Sequence, residues 1–357
     1  MTRVSSLMQR HVDQGGFAGS ALAVAKNGKL VFEHYMGDAA PNLPSSDTVL
    51  WSVASISKIY TAAMVMRLVE LGELTVGRLI SSVIPEFTGG GREEVRLRHL
   101  LTHTSGLIYE SPEMEDRLKS QVPIPALLEE LYTTKLQFKP GTRLSYADYN
   151  SLLAGHVAEV VTGIPFAKLV QDLVLEPMGL SDTFMPVPIE VESRLAKITK
   201  VMAEGTDGAM YNSRHARGLA HPAFGVVATA RDLVEFALHF MPNHKHIHTR
   251  ATINAMTTDQ TGGVPGVHPS MKGYPEDARV PWGFGWSVQT RALPGLFTEL
   301  ASIRTFGHGG ASGCQLVCDP ENEIVVAILT NTHLRIGRDP WYARLQSIIN
   351  TAFVEVS

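Results

Sequence analysis

The sequence predicts an α+β fold, in which an antiparallel sheet with strands from both ends of the chain is flanked by helices and carries an inserted all-helical domain. Strand-like segments lie near the N-terminus and again after residue 205, and apolar residues at helical spacing dominate the stretch between them. We therefore expect one domain formed by residues 1–50 and 205–357, a helical domain formed by residues 51–204, and a ligand site in the cleft between them.

The N-terminal segment has the pattern of a short helix followed by a hairpin. The first dozen residues are amphipathic and end at the glycine pair 15–16. Residues 20–25 and 29–34 read as strands around Asn27-Gly28, and Asn-Gly between apolar runs is a strong signal for a tight antiparallel hairpin.

The middle of the chain is predicted to be helical. Residues 55–71 place apolar side chains at helical spacing, and Gly72 ends this helix. Further helices are expected at 96–101, 124–132, 149–161 and 166–174.

The C-terminal part returns to strand signals. Strands are predicted at 282–288, 314–318 and 323–330, with a turn at 319–322 and a last helix at 339–353. The segment 323–330 is almost wholly apolar, so we expect it to be buried. Residues 262–276 form the one long irregular segment, which is expected to rim the site.

Composition and charge exclude several classes of protein. The chain has 357 residues, of which 44% are hydrophobic and 18% charged, so it can bury a large core. Its 31 Lys and Arg against 35 Asp and Glu give a net charge of -4 without a basic block, and no nucleic-acid partner is expected. Cys314 and Cys318 lie about 13 Å apart along one predicted strand, too far for a disulfide, and are interpreted as small hydrophobic residues.

Neither a membrane partner nor a cofactor is predicted. The N-terminus is polar, and no run approaches the ~18 consecutive apolar residues of a membrane span, so a cytoplasmic location is expected. No glycine-rich phosphate loop and no Gly-x-Ser-x-Gly motif occurs. Five histidines raise the possibility of a metal: His215, His221, His244, His246 and His248. The run His-Lys-His-Ile-His at 244–248 lacks carboxylate or cysteine partners at ligand spacing, and a solvated loop is expected there instead of a metal site.

A candidate nucleophile lies at the start of the helix predicted at 55–71. Ser55-Ile56-Ser57-Lys58 is the only Ser-x-x-Lys in the chain. Residues three apart share a helix face, so the Ser55 hydroxyl and the Lys58 amine can meet. A serine needs an adjacent base to become a nucleophile, and the helix N-terminus offers backbone N–H groups to an oxyanion.

Two further motifs extend this pattern. Tyr146-Ala147-Asp148 precedes a predicted helix and presents a phenol and a carboxylate from a loop. Near the C-terminus, His308-Gly309-Gly310 places a histidine beside a glycine-rich strand edge that another backbone can approach closely.

With these motifs the sequence resembles the serine β-lactamase and penicillin-binding-protein superfamily, closest to the class C β-lactamase branch that includes family VIII carboxylesterases. The resemblance also rests on the segments 100–107, 176–180 and 282–286, which read Leu-Leu-Thr-His-Thr-Ser-Gly-Leu, Glu-Pro-Met-Gly-Leu and Trp-Gly-Phe-Gly-Trp. It implies a class C β-lactamase-like fold.

The resemblance also implies roles for individual residues. Ser55 would be acylated, Lys58 would be its hydrogen-bonded partner, and Tyr146 would exchange protons with Ser55 and the leaving group. The backbone N–H groups of Ser55 and Ala311 would form the oxyanion hole. Which of Lys58 and Tyr146 acts as general base stays open.

Two departures from the β-lactamase pattern bear on the substrate. His308 stands where β-lactamases typically have a lysine that helps to bind a carboxylate. Asp148 stands where an asparagine is common, and an ionised carboxylate can only accept hydrogen bonds. It would keep Lys58 protonated, which moves the basic role towards Tyr146. We therefore expect a cofactor-free serine hydrolase acting on small esters, a carboxylesterase.

Alternatives remain at each level. On the same site the protein could be an amidase or D-aminopeptidase, a transacylase or a weak β-lactamase, or the fold could be a catalytically idle scaffold. Asp148 could instead only cap its helix, and His103 and Ser105 are expected to be structural. Core packing is the default interpretation of the two aromatic residues among the supporting or substrate-binding candidates, and a wall of the acyl pocket is the alternative. These candidates are Asp148, His308, Gly309, Gly310, Trp282 and Phe284.

Overall fold

A computed structural model describes residues 2–199, 209–267, 278–290, 297–333 and 338–357. The domain edge expected near residue 205 lies outside the described residues, as does most of the segment 262–276.

The helices and strands follow the predicted order along the chain. The helices are α1 Thr2–Asp13, α2 Ser57–Glu70, α3 Leu97–Leu101, α4 Met114–Lys119, α5 Ile124–Thr133, α6 Asp148–Thr162, α7 Phe166–Val170, α8 Glu176–Met178, α9 Ala209–Asn212, α10 Arg214–Gly218, α11 Ala230–Leu238, α12 Arg250–Thr257 and α13 Arg338–Val356. The strands are β1 Gly19–Lys26, β2 Lys29–Ala40, β3 Leu43–Pro44, β4 Trp51–Ser52, β5 Leu144–Ser145, β6 Thr183–Phe184, β7 Val227–Ala228, β8 Gly266–Val267, β9 Ser287–Val288, β10 Phe306–Gly310, β11 Cys314–Asp319 and β12 Ile324–Thr330.

Seven of these strands form one antiparallel sheet in the order β3-β2-β1-β12-β11-β10-β9. Strand β1, from the N-terminal part of the chain, pairs from Ser20 to Lys26 with the whole of β12, from the C-terminal part. The predicted α+β class, with a sheet to which both ends contribute, is confirmed.

Both faces of this sheet are covered, because successive residues of its central strands enter different apolar clusters. Leu22 and Val24 of β1 join the cluster formed with α1 and α13, whereas Ala21 and Ala23 join the main core. Helix α11 packs on that main-core side, against β1 and β12. A strand that is buried on both faces needs apolar residues at nearly every position. The almost wholly apolar segment 323–330 fits this requirement and contains β12, which is buried along its whole length.

The hairpin between β1 and β2 forms as its turn chemistry predicts. Asn27 and Gly28 both have positive φ angles, of 52° and 74°. Such a pair matches the right-handed twist of the flanking strands, which explains the Asn-Gly signal.

Helix α2 lies at the centre of the helical part, where it packs against α6 and α7. Tyr60 of α2 stacks on Phe236 of α11, with ring centroids 3.9 Å apart, so α2 also contacts the helix on the sheet. Among the described helices, none is by itself long and apolar enough to cross a membrane; only a pair bent by 90°, Asp148–Thr162 with Phe166–Met178, reaches that length and composition.

Two predicted elements differ in the structure. The strand predicted at 282–288 is wrong in extent, because only Ser287–Val288 is a strand. Gly285 has a φ of 94°, packs against Ala62 of α2, and turns the chain so that Trp282 bridges back to Ser287. The segment after residue 262 is not wholly irregular either, since β8 pairs in parallel with β5.

Candidate active site

Ser55 lies in a short 3-10 turn, residues 54–56, directly before α2. The α-helix therefore begins at Ser57, two residues later than predicted. Ala54 has a φ of 46°, an unusual backbone conformation for a residue with a side chain, and such strain requires support from the surrounding structure. The Val53 carbonyl, at the start of this turn, lies against Gly310 of β10, where a Cβ atom would be 2.3 Å from the carbonyl oxygen. Gly310 thus lets the strand and the turn approach closely.

Lys58 lies one residue into α2 and is 2% exposed. Its Nζ is 2.9 Å from the Ser55 Oγ, 2.8 Å from Asp148 Oδ1 and 3.1 Å from the Ala223 carbonyl oxygen. Burial by itself would lower the pKa of Lys58, but the Asp148 carboxylate and the neighbouring Tyr146 raise it above its ordinary value. The lysine is therefore an ammonium that donates to the serine oxygen.

Tyr146 completes the group around the serine. Its hydroxyl interacts with both Lys58 and Ser55, and its ring centre is 4.8 Å from the lysine Nζ. Burial raises the pKa of Tyr146 to about 12, with the Lys58 ammonium acting to lower it and the Asp148 carboxylate to raise it. At neutral pH the resting site accordingly holds a neutral phenol beside a lysine–carboxylate ion pair.

Asp148 is the first residue of α6, and its carboxylate pairs with Lys58 instead of capping the helix. The N-cap residue is Ala147, and no side chain makes a capping hydrogen bond there. The interpretation of Asp148 as only a helix cap is therefore wrong. An unpaired charge buried at this position would destabilise the fold, because it loses its hydration. The carboxylate of Asp148 and the ammonium of Lys58 offset this loss by their mutual attraction.

A buried network around His103 holds the loop that carries Tyr146, and the sequence did not point to it. The His103 Nδ1 accepts hydrogen bonds from the Ala147 N–H at 3.2 Å and from the Asn150 side chain at 3.0 Å. The His103 ring lies 4.4 Å from that of Tyr146, and Trp282 meets both rings. His103 is thus structural, as expected, but it orients the phenol; its position in the motif at 100–107 was the available signal.

The remaining candidates are divided between the site and the core. Ser55 and Ala311 both line the cleft, as the oxyanion-hole prediction requires. His308 is 4% exposed and packs against Tyr146 and Trp282. Phe284 belongs to the main core. Gly309 lies beside His308 on β10. The described residues that line the cleft do not include His308, Trp282 or Phe284.

The cleft above Ser55 has a volume of about 850 Å³, including the space open to solvent. Most of the exposed surface of its lining is apolar, although about half of the lining residues are polar or charged. The lining residues besides those of the catalytic group are Ser52, Ala54, Tyr109, Glu110, Met114, Leu118, Ile198, Tyr211, Ala216, Arg217, Phe224, Gly225, Val227, Ala311, Ser312 and His333. Such a cleft suits a small ligand that is largely apolar.

The fold, together with a serine hydroxyl held between a lysine and a tyrosine at the base of a cleft, defines the class of this protein as a serine hydrolase. The sequence model of the Beta-lactamase family matches residues 4–347. The chain belongs to this family.

Individual relatives have different names. A protein of Salmonella agona (strain SL483) named "Putative D-alanyl-D-alanine carboxypeptidase" is 26% identical over 365 residues, which cover 92% of this chain and 82% of that protein. The structure of "EstCE1, a hydrolase with promiscuous acyltransferase activity" is similar with a TM-score of 0.81 at 23% identity, over 98% of this chain and 97% of the other. A family VIII carboxylesterase is similar with a TM-score of 0.79 at 21% identity, over 98% and 96% of the two chains. At these identities the solved structures establish the fold.

Proposed function

We propose that this protein is a carboxylesterase that hydrolyses small esters through an acyl-enzyme on Ser55. The observation that carries the proposal is the hydrogen bond of 2.9 Å from the Lys58 ammonium to the Ser55 oxygen, with Tyr146 in contact with both groups. This arrangement gives the serine both an electrostatic partner and a second group able to take its proton.

The proposed reaction begins when the Ser55 oxygen attacks the ester carbonyl carbon and its proton passes to the oxygen of ionised Tyr146. The Lys58 ammonium stabilises the phenolate before the transfer. The oxyanion accepts hydrogen bonds from the amides of Ser55 and Ala311. As the tetrahedral intermediate collapses, the carbonyl–alkoxide bond breaks and the alkoxide takes the proton from Tyr146. Water then attacks the acyl carbon and gives a proton to Tyr146. As this second tetrahedral intermediate collapses, the bond between the acyl carbon and the Ser55 oxygen breaks, the Ser55 oxygen takes the proton from Tyr146, and the carboxylic acid leaves.

An ester is favoured over other acyl substrates by three features of the site. His308 occupies the position where β-lactamases typically have a lysine, and it packs on Tyr146 and Trp282, so it does not supply a fixed cation to the cleft. Most of the exposed surface of the cleft lining is apolar, which suits an acyl chain. The Asp148 carboxylate is already paired with Lys58, which argues against a role as the anchor of a substrate ammonium and hence against a D-aminopeptidase.

A second candidate is favoured by Arg217. This guanidinium lines the same cleft and would suit a substrate that ends in a carboxylate, such as a peptide with a C-terminal D-residue. The relative from Salmonella agona has a name of this kind. This candidate would be favoured if the protein hydrolyses a D-alanyl-D-alanine peptide but does not hydrolyse simple esters.

The test is stopped-flow hydrolysis of p-nitrophenyl butyrate by the parent, Ser55→Ala and Ser57→Ala. Ser57 is a matched control, because it lies on the same turn but its hydroxyl accepts from the Val226 N–H at 3.0 Å. We expect a burst of p-nitrophenol equal to the enzyme concentration and then turnover in the parent and in Ser57→Ala. Ser55→Ala should lose at least about 10²-fold in rate. Unchanged turnover in Ser55→Ala would refute the proposal, and a burst without turnover would indicate a transacylase or an idle scaffold.

A further inference from the structure

The histidines excluded above as metal ligands include one that meets a carboxylate from another element. His244 Nε2 lies 2.9 Å from Glu235 Oε1, and His239 Nε2 lies 3.7 Å from the same oxygen. The prediction that these histidines lack carboxylate partners is therefore wrong for His244. The expectation of a solvated loop is also wrong for His248, which is buried.

We propose that Glu235, His239 and His244 form a binding site for a divalent transition-metal ion, of which Zn²⁺ is the best match. One nitrogen or oxygen from each residue lies within 4.8 Å of the other two. Two imidazoles with one carboxylate are a donor set that zinc prefers, with water in the fourth position. The group shares no residue with those that line the cleft, so the site is separate from the proposed esterase.

The fold explains how these three side chains come together. Glu235 and His239 are four residues apart at the C-terminal end of α11, so they project from the same helix face. The chain then turns through residues 240–243 and returns His244 to this face. Asn243 fixes the return, because its backbone oxygen lies against Gly28 of the β1–β2 turn and its side chain donates to Glu323.

The spacing of the donors is close to that of a filled site. Zinc–ligand bonds of 2.0–2.2 Å in a tetrahedron place neighbouring donor atoms about 3.3–3.6 Å apart. The two distances to the Glu235 oxygen, 2.9 and 3.7 Å, bracket this range. The third edge joins the two imidazoles and is no longer than 4.8 Å, so a rotation of the partly exposed His244 side chain would bring its donor atom closer to that of His239.

The exposure of the three side chains also suits a metal ion. The His239 side chain is 2% exposed, whereas Glu235 and His244 are 39% and 18% exposed, so an ion has a path from solvent to a preformed buried donor. The other histidines of the loop bind backbone carbonyls instead: His246 that of His239, at 2.8 Å, and His248 that of Ala63, at 2.9 Å.

The proposal is tested by titrating Zn²⁺ into tag-free, chelator-treated protein at pH 7.5 with isothermal titration calorimetry. We expect one Zn²⁺ per chain, and affinity lower by more than about tenfold in both Glu235→Gln and His244→Gln. His246→Gln is the matched control, since it removes a histidine of the same loop outside the group, and it should bind like the parent. Thermal melts without metal verify that each variant is folded.

A Co²⁺ titration reports the coordination directly, because a tetrahedral nitrogen–oxygen site gives visible absorption that octahedral Co²⁺ in water lacks. We expect this absorption in the parent and in His246→Gln and its loss in His244→Gln. Absence of saturable binding, or equal binding in parent, Glu235→Gln and His244→Gln, would overturn the proposal and leave a hydrogen-bonded histidine–glutamate pair. Since the readouts are binding and absorption, failure of the esterase proposal would not affect them.

Discussion

Replacing Asp148 by asparagine should move the rising limb of the kcat/KM–pH profile, on which the catalytic base loses its proton, to lower pH. The carboxylate raises the pKa of both Lys58 and Tyr146. In the parent, ionised Tyr146 is scarce near pH 7, because the pKa of this group is about 12, and the rate should therefore increase with pH. Without the carboxylate, burial dominates at Lys58 and lowers its pKa, so a neutral amine becomes available as a second base.

The size of this effect follows from the geometry. The charges of Lys58 and Asp148 are 2.8 Å apart, and both side chains are at most 5% exposed. At an effective dielectric constant of 20 their attraction is about 6 kcal/mol, equivalent to about four pH units. The amide dipole of the asparagine retains part of this attraction for Lys58, so we expect the rising limb of the kcat/KM–pH profile to move by at least about two pH units.

The same substitution should reverse the pH dependence of stability. In the parent the pKa of Lys58 is raised, so its contribution is complete below the unfolded pKa of about 10.4 and is lost as pH rises through the folded value. In Asp148→Asn the folded pKa is lowered, so the ammonium destabilises the fold at pH 7 by about 3–5 kcal/mol, and stability recovers as pH rises towards 10.4.

Both effects are measurable with simple assays. Hydrolysis of p-nitrophenyl butyrate from pH 5.5 to 10 gives the rate profile, and melts by circular dichroism at pH 7 and 9.5 give the stability. Asp172→Asn is the matched control, because its carboxylate pairs with Lys168 on the surface and should change neither quantity. If the profile of Asp148→Asn coincides with that of the parent, the ion pair does not set the protonation of the site.

Two further substitutions test the frame of the site. Gly310→Ala places a Cβ 2.3 Å from the Val53 carbonyl oxygen, which must displace the turn that carries Ser55; we expect kcat to fall by about 10² or more, whereas a near-parental kcat would show that the close approach is dispensable. Asp319→Ala removes the acceptor of hydrogen bonds from the Ser302 backbone at 2.7 Å and the Asn322 side chain at 2.8 Å, so urea unfolding at pH 7 should show a loss of about 2–4 kcal/mol. Burial raises the pKa of Asp319, but these bonds lower it overall, so the deficit should shrink as pH falls through the folded value, and a deficit independent of pH would contradict this account.

Much of the sheet could be predicted because its signals are local. Asn27-Gly28 determines its own turn, and the continuous apolar run of β12 reflects burial on both faces. The segment 282–288 could not be predicted in the same way. Alternating aromatic residues suggested a strand, but the close contact of Gly285 with Ala62 of α2 bends the backbone, and this contact exists only in the folded chain.

In the candidate site too, local features could be predicted from the sequence and contacts between distant segments could not. The spacing of Ser55 and Lys58 on one helical turn is a local property, and it places the serine oxygen 2.9 Å from the lysine. The pairing of His103 with Tyr146 and of Glu235 with His244 depends on loops that other elements hold in place. The order of residues along the chain does not show which distant side chains will be in contact after folding.

Because β1 and β12 are neighbours in the sheet, the sheet can be completed only late in the synthesis of the chain. The Gly19 N–H donates to the side chain of Asn331, a residue 312 positions further along the chain. While the ribosome is still making the middle of the chain, β1 can pair with β2 but its other edge has no strand to bind. The helical part, with Ser55, Lys58 and Tyr146, must therefore emerge while the sheet beneath it is incomplete. Catalytic competence should arise late in translation, once β10 to β12 have been added.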